Sequence, residues 1–333
     1  MPSSYFVYGL RLLANVPLPG LPIVSMPHSE TEVRILLKEK SRILPLFSTS
    51  SEIFYSSPYC NDEGKPVLRV GMLDKNSFIF FYSDGLRFAL ARDGREVVGD
   101  WPDDYSLEDA ATYLLGPVLG FVLRLRGIVP LHASCVAMDG RAIAFLGAPG
   151  AGKSTTAAAF ARLGYPVVSE DVVALSDNGD SFSVQPGYPR INLWPESVEA
   201  MFGAEDALPL VTPDWGKRFL AVGQEGLLFQ RESLPLSAIY FLGERDSQTR
   251  IPIIAPLEGM AALMTLVENT YVNYVLDDSM RSHEFDVLGR LVSKVPVLSV
   301  RASNDSAHLP DLCRRIAEDA GERLNTQFSE HAK

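Results

Sequence analysis

The chain beyond Gly127 predicts an α/β domain with a mixed sheet, and residues 1–127 predict a smaller β-rich region ending in a helix. Three observations support this. Strand-like and helix-like segments alternate after Gly127. The first two of those strands meet at Asp139-Gly140, a favoured hairpin turn, so the sheet is not purely parallel. A glycine-rich loop then lies between a strand and a helix at Gly147–Ser154.

Taken in order, residues 1–104 read as short alternating runs broken by turn residues. Pro66–Val70 is one, and Phe78–Tyr82, followed by Ser83-Asp84-Gly85, is another. A helix is predicted from Ser106, with Asp109 at the capping-box position; it runs to Leu125 with a kink at Pro117. Gly127 stops it and marks the boundary with the second part, residues 128–333. There Leu131–Met138 and Ala142–Leu146 read as the hairpin strands and Lys153–Leu163 as a helix closed by Gly164 and Pro166. Val167–Ser169 and Val172–Leu175 are strand-like, and Pro195 opens a short helix to Phe202. Ala238–Leu242 and Ile251–Ala255 follow as strands. Leu257–Asn269, Phe285–Val295 and Leu309–Leu324 follow as helices.

Bulk properties narrow the function. With 333 residues, 47% of them hydrophobic, the chain can bury one large core or two ordinary ones. A formal net charge of −11 argues against nucleic-acid binding, which depends on Lys and Arg neutralising phosphates. Cys60, Cys135 and Cys313 are odd in number and widely spaced, which fits neither a disulfide framework nor a zinc site. No signal-peptide pattern opens the sequence, and no run approaches the roughly 20 apolar residues of a membrane helix. The expectation is a cytoplasmic protein with no membrane partner; homo-oligomerisation is left open.

The loop Gly147-Ala148-Pro149-Gly150-Ala151-Gly152-Lys153-Ser154 matches G-x-x-x-x-G-K-[ST] without a mismatch. Its glycines let backbone N–H groups converge on an anion, and the following helix N-terminus, from Lys153 through Thr155, adds a favourable partial charge. Lys153 is expected to reach the β- and γ-phosphates of ATP. Ser154 is expected to hold Mg²⁺. The pair Glu170-Asp171 follows the loop helix and is expected beside the γ-phosphate. Adjacent residues on an extended strand point to opposite faces, so the two roles should differ. Two carboxylates sharing a small site raise one pKa, which suits a general base. His132 lies in an apolar strand, where a packed, structural histidine is the ordinary reading.

These residues resemble the catalytic domain of HPr serine kinase/phosphorylase over about residues 128–176, a family similar in its nucleotide site to phosphoenolpyruvate carboxykinase. His132 stands 15 residues before Gly147, and Glu170 stands 17 after Lys153, which are the family's spacings. The resemblance implies a P-loop kinase fold, with Glu170 as the base towards a serine, Asp171 as a metal or supporting group and His132 as its partner. The chain departs from the pattern in having Glu170 where the family has Asp. Pro149 replaces a serine, which leaves the reverse phosphorylase reaction open, and the later Gly- and Asn-rich signature is missing. Over most of its length the sequence is also similar to HPr-kinase-related proteins of lasso-peptide biosynthesis. That likeness is carried by Tyr8-Gly9-Leu10, Pro17-Leu18-Pro19, Leu131–Ser134 and Tyr188-Pro189-Arg190 through Leu193-Trp194-Pro195. It implies ATP- and Mg²⁺-dependent phosphorylation of a serine on a precursor peptide or small protein.

Arg190 is placed to bind a phosphate or a peptide carboxylate in bidentate fashion, with Trp194 as a wall. Lys217 and Arg218, read in a loop, are candidates for a cation that closes on the spreading charge of phosphoryl transfer. Two alternatives stay open: a small-molecule kinase acting, for example, on free serine, and a nucleotide-binding regulatory module without transferase activity.

Overall fold

The computed structural model describes residues 2–38, 52–212, 215–247 and 249–331, in two units. One comprises Met1–Ile128, Thr212–Asp214 and Val272–Arg281, the other Val129–Val211, Trp215–Tyr271 and Ser282–Lys333. No helix among the described residues is long and apolar enough to cross a membrane.

The first unit is built on a mixed sheet of strands β1 (Ser3–Val7), β2 (Leu10–Ala14), β3 (Val33–Leu37), β4 (Glu52–Ser56), β5 (Leu68–Asp74), β6 (Ser77–Tyr82), β7 (Arg87–Ala91) and β8 (Glu96–Asp100). Their order is β1-β2-β3-β8-β7-β6-β5-β4, with β3 parallel to both neighbours. The helix predicted from Ser106 is divided. Helix α1 (Leu107–Tyr113) opens with the capping box: Asp109 N–H donates to Ser106 Oγ at 3.1 Å, and Ser106 N–H donates to the Asp109 carboxylate at 2.8 Å. Pro117 has no amide to donate and its ring crowds the preceding turn, so Leu114–Val118 forms a wider π-turn. Gly116 absorbs the distortion at φ −94° and ψ −106°, and helix α2 (Leu119–Leu125) follows.

The second unit holds β9 (Pro130–Met138) and β10 (Arg141–Leu146), an antiparallel hairpin. Asp139 and Gly140 both take positive φ (48° and 74°), as a tight right-twisted hairpin turn requires. Strands β11 (Val167–Ser169) and β12 (Val172–Asp177) both pair with β9, and β13 (Phe182–Val184) joins β12 to the long β17 (Leu234–Arg245). Because β17 also runs parallel to β10, the hydrogen-bonded path closes on itself. Strand β19 (Val297–Ala302) extends the sheet parallel to β17, with β18 (Ile253–Leu257) antiparallel at its margin, where Pro256 is tolerated. The sheet is therefore mixed.

Alternation along β10 fills two cores. Ile143 and Phe145 pack with Ala157, Phe160 and Ala161 of helix α3 (Lys153–Arg162) and with Cys313 and Ile316 of the C-terminal helix Leu309–His331. Ala142, Ala144 and Leu146 face the other way, towards Leu263 and Leu266 of helix Gly259–Glu268 and Leu288 and Leu291 of helix Asp278–Lys294. The Phe145 and Phe160 rings stack with centroids 5.2 Å apart. This two-sided burial fixes the end of β10, from which the loop Gly147–Gly152 emerges.

A small separate sheet has the order β14 (Arg190–Leu193), β16 (Trp215–Ala221), β15 (Leu210–Thr212). Helix α4 (Pro195–Phe202) starts with Pro195 in its first turn and ends at Gly203, whose φ is 87°. Lys217 and Arg218, predicted in a loop, lie instead in a strand. Pairing from Arg190↔Ala221 to Leu193↔Arg218 satisfies the backbone, and Leu220 anchors one face in the core.

Candidate functional site

The loop leaves β10 with Gly147 at φ 154°, turns through Gly150 at φ 82° and enters α3 through Gly152 at φ 92°. A side chain at Gly147 would press on the Leu242 carbonyl at 2.8 Å and on Ala151 Cβ at 2.9 Å, and one at Gly152 would collide with the Arg245 guanidinium. Glycine is therefore required at both places. Ala148, Pro149 and Gly150 form an exposed crest. Below it Lys153 is buried, and its ammonium donates to the carbonyls of Gly147 (2.7 Å) and Ala148 (3.2 Å). Burial lowers the Lys153 pKa, while Asp171 and Glu170 act in the opposite direction.

The two acids divide between two sets of partners. Glu170 is buried, and its carboxylate accepts from Ser154 Oγ at 2.7 Å and from Asn192 N–H at 3.4 Å. Burial, reinforced by the Asp171 charge, raises its pKa to about 7 against the pull of Lys217 and those two donors. Asp171 accepts from Tyr271 Oη at 2.7 Å, and its other oxygen lies 3.3 Å from His132 Nδ1, a contact that is an ion pair only when the imidazole is protonated. Burial lowers the His132 pKa, with Asp171 opposing and Lys153 and Lys217 adding to the fall.

Backbone geometry explains this division. Asp171 sits at φ 64°, and Val172 N–H donates to the Glu170 carbonyl at 2.8 Å, closing a three-residue turn around it. Such a turn is rare for a residue with a side chain. Pairing of Val172 with His132 brings the histidine alongside. Tyr271 reaches Asp171 because its N–H donates to the Pro130 carbonyl at 2.8 Å, and its ring stacks on His132 with centroids 5.5 Å apart. Ser154 therefore faces Glu170, and Asp171, expected with Ser154 at the metal, faces Tyr271 and His132.

The remaining candidates separate. Lys217 projects its charge onto Glu170, His132 and Lys153. Arg218, its neighbour on the strand, points the other way and donates to the Leu208 carbonyl at 2.6 Å. Arg190 lies over the Phe219 ring at 3.9 Å. The Thr155 hydroxyl meets Ser197 Oγ of α4 at 2.9 Å, so this side chain ties two helices together.

Two residues were not singled out in the sequence. Arg245, at the carboxyl end of β17, donates to the Ala151 carbonyl at 2.8 Å and braces the loop from outside. Its position at a strand end beside the loop strand was a usable signal. Tyr271 had none, because it depends on the fold alone.

Among the described residues no group of three or more His, Cys, Asp and Glu side chains is arranged to hold a metal. Magnesium suits a different donor set, one or two carboxylates plus phosphate oxygens and water. The Ser154 hydroxyl and Glu170 carboxylate, already in contact and with Asp171 adjacent in sequence, fit that set of hard oxygen donors.

No family model matches the chain, and no curated protein matches it. Among solved structures it is similar to the HPr(Ser) kinase/phosphatase from Coxiella burnetii, at 11% identity. The match covers 61% of this chain and 95% of that one, with a TM-score of 0.33. An overlap this loose adds nothing to the geometry above.

Proposed function

We propose that the protein is an ATP-dependent kinase that transfers the γ-phosphoryl group to a serine hydroxyl, on a precursor peptide of the lasso type or a small protein. The observation that carries this reading is the 2.7 Å contact between Ser154 of the phosphate loop and the buried carboxylate of Glu170. A loop that grips a triphosphate and an acid beside it are the two parts phosphoryl transfer needs. In the reaction the acceptor oxygen bonds to Pγ, the Pγ–O bond to the departing ADP breaks, and the hydroxyl proton passes to Glu170. A group with a pKa near 7 can accept that proton at neutral pH. Lys153 holds the β- and γ-phosphates, and His132 and Tyr271 keep Asp171 in place. Ser154 and Asp171 would hold Mg²⁺, which when bound would supply charge neutralisation on the phosphate oxygens.

The Ser154–Glu170 contact also favours a second assignment, with Glu170 on the metal and the Asp171–His132 pair taking the proton. Incubation with γ-labelled ATP and a panel of serine peptides and free amino acids tests the reaction. We expect phosphoserine with wild-type protein and a loss of at least about a hundredfold with Lys153→Ala. Near-normal turnover in that variant would sink the site. Glu170→Gln then separates the assignments: retained Mg·ATP affinity with lost chemistry marks the base, and weakened magnesium dependence marks the ligand.

A further inference from the structure

One face of the small sheet carries cations and aromatic rings in a row beside Glu170. On β14, Ile191 and Leu193 enter the core, which leaves Arg190 and Asn192 on the opposite face, with Trp194 next along the chain. On β16, Leu220 enters the same core, leaving Lys217 and Phe219 on the open side. The antiparallel register sets Asn192 opposite Phe219 and Leu193 opposite Arg218, so Trp194 arrives beside Lys217. Lys217 Nζ lies 5.0 Å from the centroid of the Trp194 ring and 4.9 Å from that of Trp215. The two indoles meet edge-on at 6.2 Å. Arg190 continues the row over Phe219.

Three properties give this face a direction. Among the described residues no carboxylate lies within ion-pair distance of Lys217; its ammonium sits against two π-faces, and its charge, felt by Glu170, also reaches an incoming anion. On a chain of net charge −11 such a concentration of cations focuses anions locally. The row is also continuous with the reacting end of the site, since Asn192 N–H donates to Glu170. From Arg190 to Trp194 it extends about 13 Å at strand rise, longer than a free amino acid and suited to an extended segment of several residues.

We infer that this face docks the acceptor, and that the acceptor is an acidic peptide segment with an aromatic or large apolar residue near the phosphorylated serine. The inference rests on the kinase reading above and deepens it. Carboxylates of the peptide would meet Lys217. Its apolar side chain would lie against Trp194, which is 49% exposed.

Docking can be read without turnover. The chain has three tryptophans, Trp101, Trp194 and Trp215, so in full-length Trp101→Phe protein both remaining indoles belong to the row. We expect the peptide Phe-Glu-Ser-Glu-Phe to change their fluorescence on titration. Its Phe-Gln-Ser-Gln-Phe twin, or the Lys217→Gln variant, should bind about tenfold more weakly, and Lys217→Arg should restore most of the loss. Equal binding of the two peptides overturns the inference. So does a response to ATP or free serine with both peptides silent, which would make the face a nucleotide or small-molecule site. A parallel assay with labelled ATP keeps the two readings apart. Acid-dependent docking without phosphoserine defeats the kinase, whereas transfer to peptides regardless of charge defeats the docking face.

Discussion

Burial beside a like charge gives Glu170 a greater hold on its proton than a free glutamate has, and linkage gives this a sign. The unfolded chain releases that proton near 4.5, while the folded chain keeps it to about 7. Between those values the folded state binds more protons, so its stability falls as pH rises through the window. Glu170→Gln removes the penalty. By calorimetry the variant should melt above the wild type at pH 8, by roughly 2–4 °C for each kcal/mol at this domain size, and the gap should close by pH 5. A gap that does not vary with pH would assign the gain to something other than ionisation. Of the residues that set this environment, the loop Gly147–Ser154 and the pair Glu170-Asp171 were singled out in the sequence because their spacing is local. Tyr271 was not, since it reaches Asp171 only through its backbone bond to Pro130, far away in sequence.

At the scale of the element, the strand-to-helix passage through Gly152 depends on two separate constraints. Its φ of 92° strains any L-residue, and the Arg245 guanidinium fills the space a methyl would take. Gly164, past the other end of α3, has the same φ of 92° but open space around it. Gly164→Ala should therefore cost about 1–2 kcal/mol and leave nucleotide binding intact. Gly152→Ala should cost more and also weaken ATP, because moving Arg245 breaks its bond to Ala151; denaturant melts paired with ATP titrations measure both. Equal ATP affinities in the two variants would show that Arg245 does not brace the loop. Helix α4 was readable from Pro195 and α1 from its capping box, since caps are local chemistry. Strand β16 was not: its partner β14 lies more than twenty residues away, and pairing rather than its own pattern makes it extended.

Across the whole molecule the three thiols are free, and they differ in surroundings. Burial pushes the Cys313 thiol up to about 12 and the Cys135 thiol higher still, whereas Cys60 is exposed. A thiol reagent at pH 8 should modify one cysteine in the native protein and three after denaturation; three in the native protein would refute the packing around Cys135 and Cys313. The sequence reading drew one boundary, near Gly127, whereas the first unit comprises Met1–Ile128 with Thr212–Asp214 and Val272–Arg281. The segment Val272–Arg281 belongs with the first unit, where Tyr274 stacks on Tyr55 at 4.8 Å. No local signal marks a return of the chain after so long an interval. That return sets an order on biosynthesis. Domains usually mature as they leave the ribosome, N-terminal part first. Here the first unit gains its last segment only when translation has passed residue 281, long after strands β1–β8 have emerged. A nascent chain halted at Thr270 should leave the surface around Tyr55 open to protease, and lengthening it until Arg281 clears the ribosome should protect that surface.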